Sequence, residues 1–410
     1  MRHIDTVIVG AGQAGLATSH ELTRLGHEHV VLERSAVGDR WLSRRWDSQT
    51  LLTPNWMTRL PGRHYAGAEP DGYMSTADFA SELRGYARSF EAPVVSGVAV
   101  ERLLVGPERL DVITPAGDWR ARNVIIATGW CDVPTRPSAA AGMHPSIRSI
   151  TSSEYRNPAS LAAGGVLIVG ASATGVQLAD ELRRDGRRVV LAVGSHLRMP
   201  RRYRGADIMA WLDRAGSLDR HIDDMPDPVA ATREPSLQLV GSAEPRTIDL
   251  AALAGDGVEL VGRLIGAGGR TARFDAALAD RVAAADRVMR RTLDRIDAVI
   301  ARAGLDTGVP DRPAPFRPPE APTSLDLFGG GIRTVIWAGG YRRDYSWLPR
   351  VLLDDRGELR HRHGVTGIPG LTAVGLRFQR TRRSSLIDGV GADATMVAEL
   401  AHARVAAAAA

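Results

Sequence analysis

The sequence predicts an α/β fold in which one strand–turn–helix unit is used twice, and three observations predict it. Residues 4–22, IDTVIVGAGQAGLATSHEL, run from an apolar strand through a glycine turn into a helix. Residues 164–182, GGVLIVGASATGVQLADEL, repeat that layout in mid-chain. Two further apolar strands, NVIIATG ending at Gly129 and TVIWAGG ending at Gly340, enter glycines in the same manner. One GxGxxG match means little in a chain with 43 glycines, but two in the same context point to two Rossmann-like dinucleotide-binding units.

In the first turn Gly10 makes the tight bend, Gly12 lets the backbone approach a pyrophosphate, and Gly15 lets the helix pack close on the strand. In the second, Gly170 and Gly175 hold the outer positions, and Ser172 takes the middle one with a small side chain that adds a hydroxyl. The strand HEHVVLER ends in Glu33, ~20 residues past the first turn, where a carboxylate accepts hydrogen bonds from a ribose 2′-hydroxyl. That suits the adenosine of FAD or NAD. The matching stretch after the second helix, RRVVLAVGSHLRMPRRYRG, has no acid at the strand end and offers Ser195, His196, Arg198, Arg201 and Arg202. A guanidinium pairs bidentately with a 2′-phosphate, so this site reads as one for NADPH; a solvated arginine run is the alternative. An acidic reader first and a basic one second imply a flavoprotein that takes hydride from NADPH.

Composition narrows the options. With 410 residues, 44% hydrophobic and 24% charged, the chain has the length for two or three domains and the balance of a water-soluble protein. The net charge of +5 raises nucleic-acid binding, yet all 52 basic residues are arginines interspersed with acids, so no binding stripe forms and that class is set aside. Cys131 is the only cysteine, which excludes an internal disulfide and any two-thiol redox relay. Without a leader-like start or an apolar run near the ~20 residues a membrane helix needs, a cytoplasmic protein without membrane contact is expected. No metal set stands out.

Taken in order, residues 1–135 form the first part of the FAD domain. Within them, VGDRWLSRRWDSQTLLTPNWMTRLPG carries Trp41, Trp46 and Trp56 with Asp47, Thr53 and Asn55, a loop that reads either as a ligand wall or as an aromatic-anchored connection. STADFASELRGYARSF places Phe79, Leu83 and Tyr86 on one helix face. Residues 136–163 read as the crossing between domains. Residues 164–330 are the NADPH domain, with an insertion over about 206–330 holding a hairpin near residues 257–274 and a helix from about Ala276 to Ala303. Its Val282, Met289, Leu293, Ile296 and Ile300 recur at helical spacing. Residues 331–410 return to the FAD domain, ending in a loop and helix led by Gly389 and Gly391, where Asp388 is a ribityl partner or a helix cap.

The ordered set GAGQAG, GDRW, RWDSQTLLTPNW, ATG, GASATG, PRRYRG and WAGGY resembles the single-component flavin monooxygenases, the class of the flavin-containing and Baeyer-Villiger enzymes. It is most similar to their bacterial FAD-dependent oxidoreductase branch and covers nearly all of the chain outside residues 206–330. The resemblance implies two Rossmann-like domains, with the NADPH domain inserted into the FAD domain. It implies FAD held by Gly10, Gly12, Gly15, Glu33, Arg34, Trp41, Asp47 and Asp388, and NADPH held by Gly170, Ser172, Gly175, Ser195, Arg198 and Arg202. It implies capture of O2 on reduced flavin as a C4a-(hydro)peroxide, with Asn55 as the first candidate to stabilise it and a turn role after Pro54 as its alternative. Arg342 or Arg343, and Arg377, Arg380, Arg382 or Arg383, are candidates to hold an anionic peroxide, against a solvated default.

Two departures stand out. Thr151 occupies the family's histidine position in the stretch GMHPSIRSITSSEYRNP, and the usual ATGY is Ala338-Gly339-Gly340-Tyr341. The expected activity is oxygenation of a small organic substrate at N, S or a ketone carbon, with O2 as co-substrate and a homodimer as one assembly open to it. The competing readings are an NADPH oxidase or dehydrogenase and a non-catalytic nucleotide-binding sensor or scaffold.

Overall fold

A computed structural model describes residues 1–242, 244 and 246–409. The chain opens with β1 (Arg2–Val9), α1 (Gln13–Arg24) and β2 (His29–Glu33), and continues through α2 (Thr76–Ser89) to β3 (Val94–Ser96), β4 (Arg102–Val105), β5 (Leu110–Ile113) and β6 (Trp119–Ile126). With the late strand Leu371–Ala373 beside β6, these make a seven-stranded sheet in the order β3-β2-β1-β6-β5-β4 among the described residues. The strands Val7, Val30 and Val124 share one row, parallel and buried on both faces, which is why they read as continuous apolar runs.

The second sheet runs β7 (Arg148–Thr151), β8 (Gly165–Val169), β9 (Val189–Ala192), β10 (Glu259–Val261) and, from far along the chain, β14 (Ile332–Trp337). Its order is β7-β14-β8-β9-β10, all parallel. Helix α3 (Ala173–Arg184) follows β8. Two expectations are corrected here. Ile332–Trp337, expected in the final FAD unit, instead pairs Ile336 with Ile168 inside the second sheet. The proline-rich crossing also holds β7, the edge of that same sheet. Sequence-local reading could not see either pairing, because a parallel strand takes its partner across a long connection.

The insertion contributes α4 (Ile208–Arg214), α5 (Leu250–Gly255), an antiparallel three-stranded sheet of β11 (Leu264–Gly268), β12 (Thr271–Phe274) and β13 (Ser324–Asp326), and α6 (Leu278–Ala303) between the last two. The apolar stripe of α6 is buried as its spacing predicts. Met289, Leu293, Ile296 and Ile300 share one hydrophobic cluster with Trp211 and Leu212 of α4 and with Met57. The final helix α7 (Val390–Ala409) lays Val397, Ala398 and Ala401 against Leu16 and Ala17 of α1.

Candidate functional site

Steric demand explains the first glycine turn. Gly10 has φ +109°, and a Cβ on it would lie 2.7 Å from the carbonyl oxygen of Ala127 at the end of β6. A Cβ on Gly15 would overlap the Gly10 carbonyl oxygen, so α1 can start this close to the sheet only without a side chain there. Gly12, the N-cap, faces open space instead. A missing side chain in front of unpaired helix N–H groups is the cradle a pyrophosphate needs. Beside it, Glu33 accepts the Ala11 N–H at 2.8 Å and the Ser35 N–H at 3.0 Å, which fixes the carboxylate at the mouth of the crevice.

The second turn repeats the same geometry. Gly170 has φ +116°, a Cβ on it would stand 2.5 Å from the Ala338 carbonyl oxygen, and one on Gly175 would overlap the Gly170 carbonyl oxygen. Ala338 thus plays toward Gly170 the part that Ala127 plays toward Gly10. Ser172 is the N-cap of α3, and its hydroxyl makes no capping bond. The residues present therefore fit a dinucleotide at both turns.

The first turn opens on a cavity of about 660 Å³, within the range of small-ligand sites, and the start of α3 reaches the same cavity. Gly12 and Gln13 line one part; Ala173, Thr174 and Gln177 of the second unit line another; Glu33, Arg34 and Trp41 form an edge. Gln49 to Thr53, Cys131, Tyr341 and Ser385 to Ile387 close it. Trp41 is fixed by an edge-to-face contact with Phe79 at 4.8 Å. Arg34 leans on Asp132 at 3.2 Å. Burial pushes the Cys131 thiol upward, against the pull of Arg45.

Two cavity residues went unnoticed in the sequence. Gln49 is buried, and its Oε1 has no hydrogen-bond partner among the described residues. Arg45 lies 5.1 Å from the Trp41 ring and 6.0 Å from that of Tyr341, with its Nε unpaired among the described residues. Both sit in the quoted RWDSQ stretch, where the only signal was a polar residue among aromatics. Outside that lining, Arg263 follows β10 and donates to the Ser195 hydroxyl at 2.8 Å, at the carboxyl end of the second sheet.

Several expected site residues are held elsewhere. Arg198 is buried between Asp249 at 2.7 Å and Asp286 at 2.6 Å, so its charge is committed to the core rather than offered to a phosphate. Arg202 is exposed and bonds the Gly205 carbonyl oxygen. Asn55 is buried; its Nδ2 donates to the Glu69 carbonyl at 2.9 Å and its Oδ1 accepts the Met74 N–H at 2.8 Å, which locks a loop. Asp47 pairs with Arg156 at 3.0 Å and accepts from Asn157 at 2.6 Å, tying its loop to the crossing. Asp388 is buried against Arg59 and Arg383, beside a separate groove.

The arginine candidates are similarly engaged. Arg380 lies 3.5 Å from Asp393, Arg382 pairs with Glu234, and Arg383 with Asp213, Asp219 and Asp388. Arg377 bonds the Glu234 carbonyl and lies over Trp130 at 5.4 Å. Arg343 pairs with Glu358, while Arg342 is exposed on a short strand Tyr341–Arg342. Thr151 ends β7 and donates its hydroxyl to Glu154 at 2.7 Å.

Comparison with known proteins agrees with this geometry. The family described as pyridine nucleotide-disulphide oxidoreductase matches residues 7–213. An "uncharacterized oxidoreductase CzcO-like" of Geobacillus kaustophilus is 31% identical over 96% of this chain and 97% of its own. The indole-3-pyruvate monooxygenase YUCCA4 of Oryza sativa is 29% identical over 46% of each chain. Among solved structures, a flavin-containing monooxygenase from Stenotrophomonas maltophilia superposes with a TM-score of 0.69 at 20% identity, over 99% of this chain and 100% of that one, and so shares the fold. With a family match over half of its length and a relative matched almost end to end, the chain belongs to the pyridine nucleotide-disulphide oxidoreductase family, as an oxidoreductase that binds FAD and NADPH.

Proposed function

We propose that the protein is a monooxygenase: NADPH, a proton, O2 and a small organic molecule give NADP+, water and the oxygenated product, at nitrogen, sulfur or a ketone carbon. The observation that carries this reading is the cavity lined both by the first glycine turn and by Ala173, Thr174 and Gln177 of the second unit, where a ligand at each turn could meet for electron transfer. A chain with one cysteine has no second thiol for a disulfide relay, so the electrons need another acceptor. The relative named as an indole-3-pyruvate monooxygenase and the neighbour named as a flavin-containing monooxygenase point to O2.

Bound flavin supplies the two-electron transfer and the activation of O2; the protein binds, orients and excludes water. Gly12 and the N-terminus of α1 would receive the FAD pyrophosphate, and Glu33 its ribose. Ser172 and the N-terminus of α3 would receive that of NADPH. Arg263, braced on Ser195, would take the 2′-phosphate in place of Arg198. Gln49 Oε1 is free to accept from a ligand N–H, and Arg45 can hold negative charge that develops in the cavity.

The test is reduction of purified protein with NADPH without oxygen, then oxygenated buffer with a panel of amines, sulfides and ketones. The reading expects a substrate that lowers the H2O2 formed per NADPH and gains one oxygen atom from 18O2. Stoichiometric H2O2 with every compound would establish the NADPH oxidase instead, a reading favoured by the Thr151 hydroxyl being committed to Glu154. No reduction by NADPH would overturn both.

A further inference from the structure

We infer that His221, Asp223 and His363 form a binding site for one divalent transition-metal ion of the zinc type. The three side chains come from separate places. His221 and Asp223 belong to the insertion, around the short turn Ile222–Asp224, and His363 sits in a turn of the last unit. Their donor atoms all lie within 4.8 Å of one another. An ion with bonds of roughly 2.0–2.2 Å to nitrogen and carboxylate oxygen fits at the centre of such a set after small side-chain rotations.

The backbone holds this arrangement independently of the side chains. The Ile222 N–H donates to the Arg380 carbonyl at 2.7 Å, and His221 bridges Thr381 in antiparallel fashion. On the other side, Arg362 and Val365 exchange backbone hydrogen bonds at 2.9 Å, clasping a turn in which His363 has φ +55°. A left-handed histidine persists only where its surroundings over-determine it. The ring planes of His221 and His363 stand 79° apart with centroids at 4.9 Å, so neither ring blocks the space between them by stacking.

The chemistry of the donors selects the ion. Two imidazoles with one carboxylate suit Zn2+, Co2+ or Ni2+, whereas Ca2+ and Mg2+ prefer all-oxygen shells. His363 Nε2 lies 3.1 Å from Asp223, which is the approach an ion would replace by displacing the shared proton. Arg362, 3.6 Å from Asp223, is the one neighbouring competitor among the described ion pairs, and at 81% exposure it can swing into solvent. All three ligand groups are partly exposed, which leaves water to complete the shell. An ion here would tie the insertion to the last unit, outside the shared cavity.

The experiment uses the full FAD-loaded chain, stripped with chelator, and titrates Zn2+ against a chromophoric competitor. The inference expects one equivalent bound by the wild type, weakened at least about tenfold in His221→Gln and in His363→Gln. A His144→Gln variant, whose exposed ring bonds Ser146 away from this site, should keep full binding. Zn2+ should raise the melting temperature of the wild type but not of the two site variants, each first shown to retain its flavin spectrum. Wild-type binding no tighter than that of the site variants, or equal loss in His144→Gln, would overturn it. Asp223→Asn supplies the check should a histidine variant fail to fold.

Discussion

The buried guanidinium of Arg201 donates to the carbonyl oxygen of Leu52 at 2.8 Å, so the second nucleotide unit fixes a segment that lines the cavity of the first. The same group pairs with Asp207 at 2.6 Å, which accepts from the Tyr73 hydroxyl at 2.6 Å. Arg201→Met should therefore lower unfolding stability by ~3–5 kcal/mol, because Asp207 is left as an uncompensated charge. Adding Asp207→Asn should recover part of that loss. Urea denaturation of both variants checks this.

The glycine turns separate packing from binding. Gly15→Ala places a methyl group on the Gly10 carbonyl and should cost ~1–3 kcal/mol of stability or prevent folding. Gly12→Ala meets nothing within 4 Å and should fold normally. Its methyl group would stand in the pyrophosphate path, and FAD affinity should fall at least about tenfold, or ~1.4 kcal/mol. Thermal melts with and without added FAD distinguish the two.

Arginines at the second site should divide in the same way. Arg263→Ala should raise KM for NADPH by about tenfold, equivalent to ~1.4 kcal/mol, while leaving NADH turnover unchanged. Arg198→Ala should instead destabilise the fold by ~3–5 kcal/mol, since Asp249 and Asp286 lose their counter-ion. Steady-state kinetics with both coenzymes, alongside denaturation, reads both effects.

Acid should weaken both nucleotide units through buried imidazoles. His27, His29 and His196 are all pushed below 6.5, chiefly by burial. His29 Nδ1 donates to the His27 carbonyl at 2.9 Å, so its Nε2 accepts from Ser19 at 2.8 Å in the neutral ring. For such groups the unfolded chain takes up protons that the folded chain refuses. Stability is then fully present above pH 6.5 and falls as the pH drops below it. Urea midpoints at pH 7 and 5 should differ in this direction, with a smaller difference in His29→Asn.

Gln49→Leu should preserve stability, because the lost Oε1 has no partner to strand among the described residues, and should weaken flavin binding or coupling. Flavin titration and H2O2 yield per NADPH check it.

Features that depend on a few neighbouring residues are legible in the sequence; partners distant along the chain are not. Glycine spacing and Glu33 announced the first cradle because each is a demand of its own few residues. The helix expected from about Ala276 to Ala303 was found at Leu278–Ala303, since its stripe needs only one period. Arg198 looked like a phosphate ligand because Asp249 and Asp286, 51 and 88 residues away, could not be paired with it by inspection. Asn55 followed the same logic, its side chain being taken up by a turn formed later, at residues 69–74. Gln49 and Arg45 gain meaning only when the loop closes on the cavity.

Cys131 gives the molecule a built-in reporter. It is the sole thiol of the chain and stands in the wall of the shared cavity, so an alkylating dye can label one place only. Burial keeps that thiol protonated and slow to react. Labelling kinetics followed by mass spectrometry would consequently gauge how far coenzymes seal the chamber, without a mutation, an engineered tag or an assay of turnover.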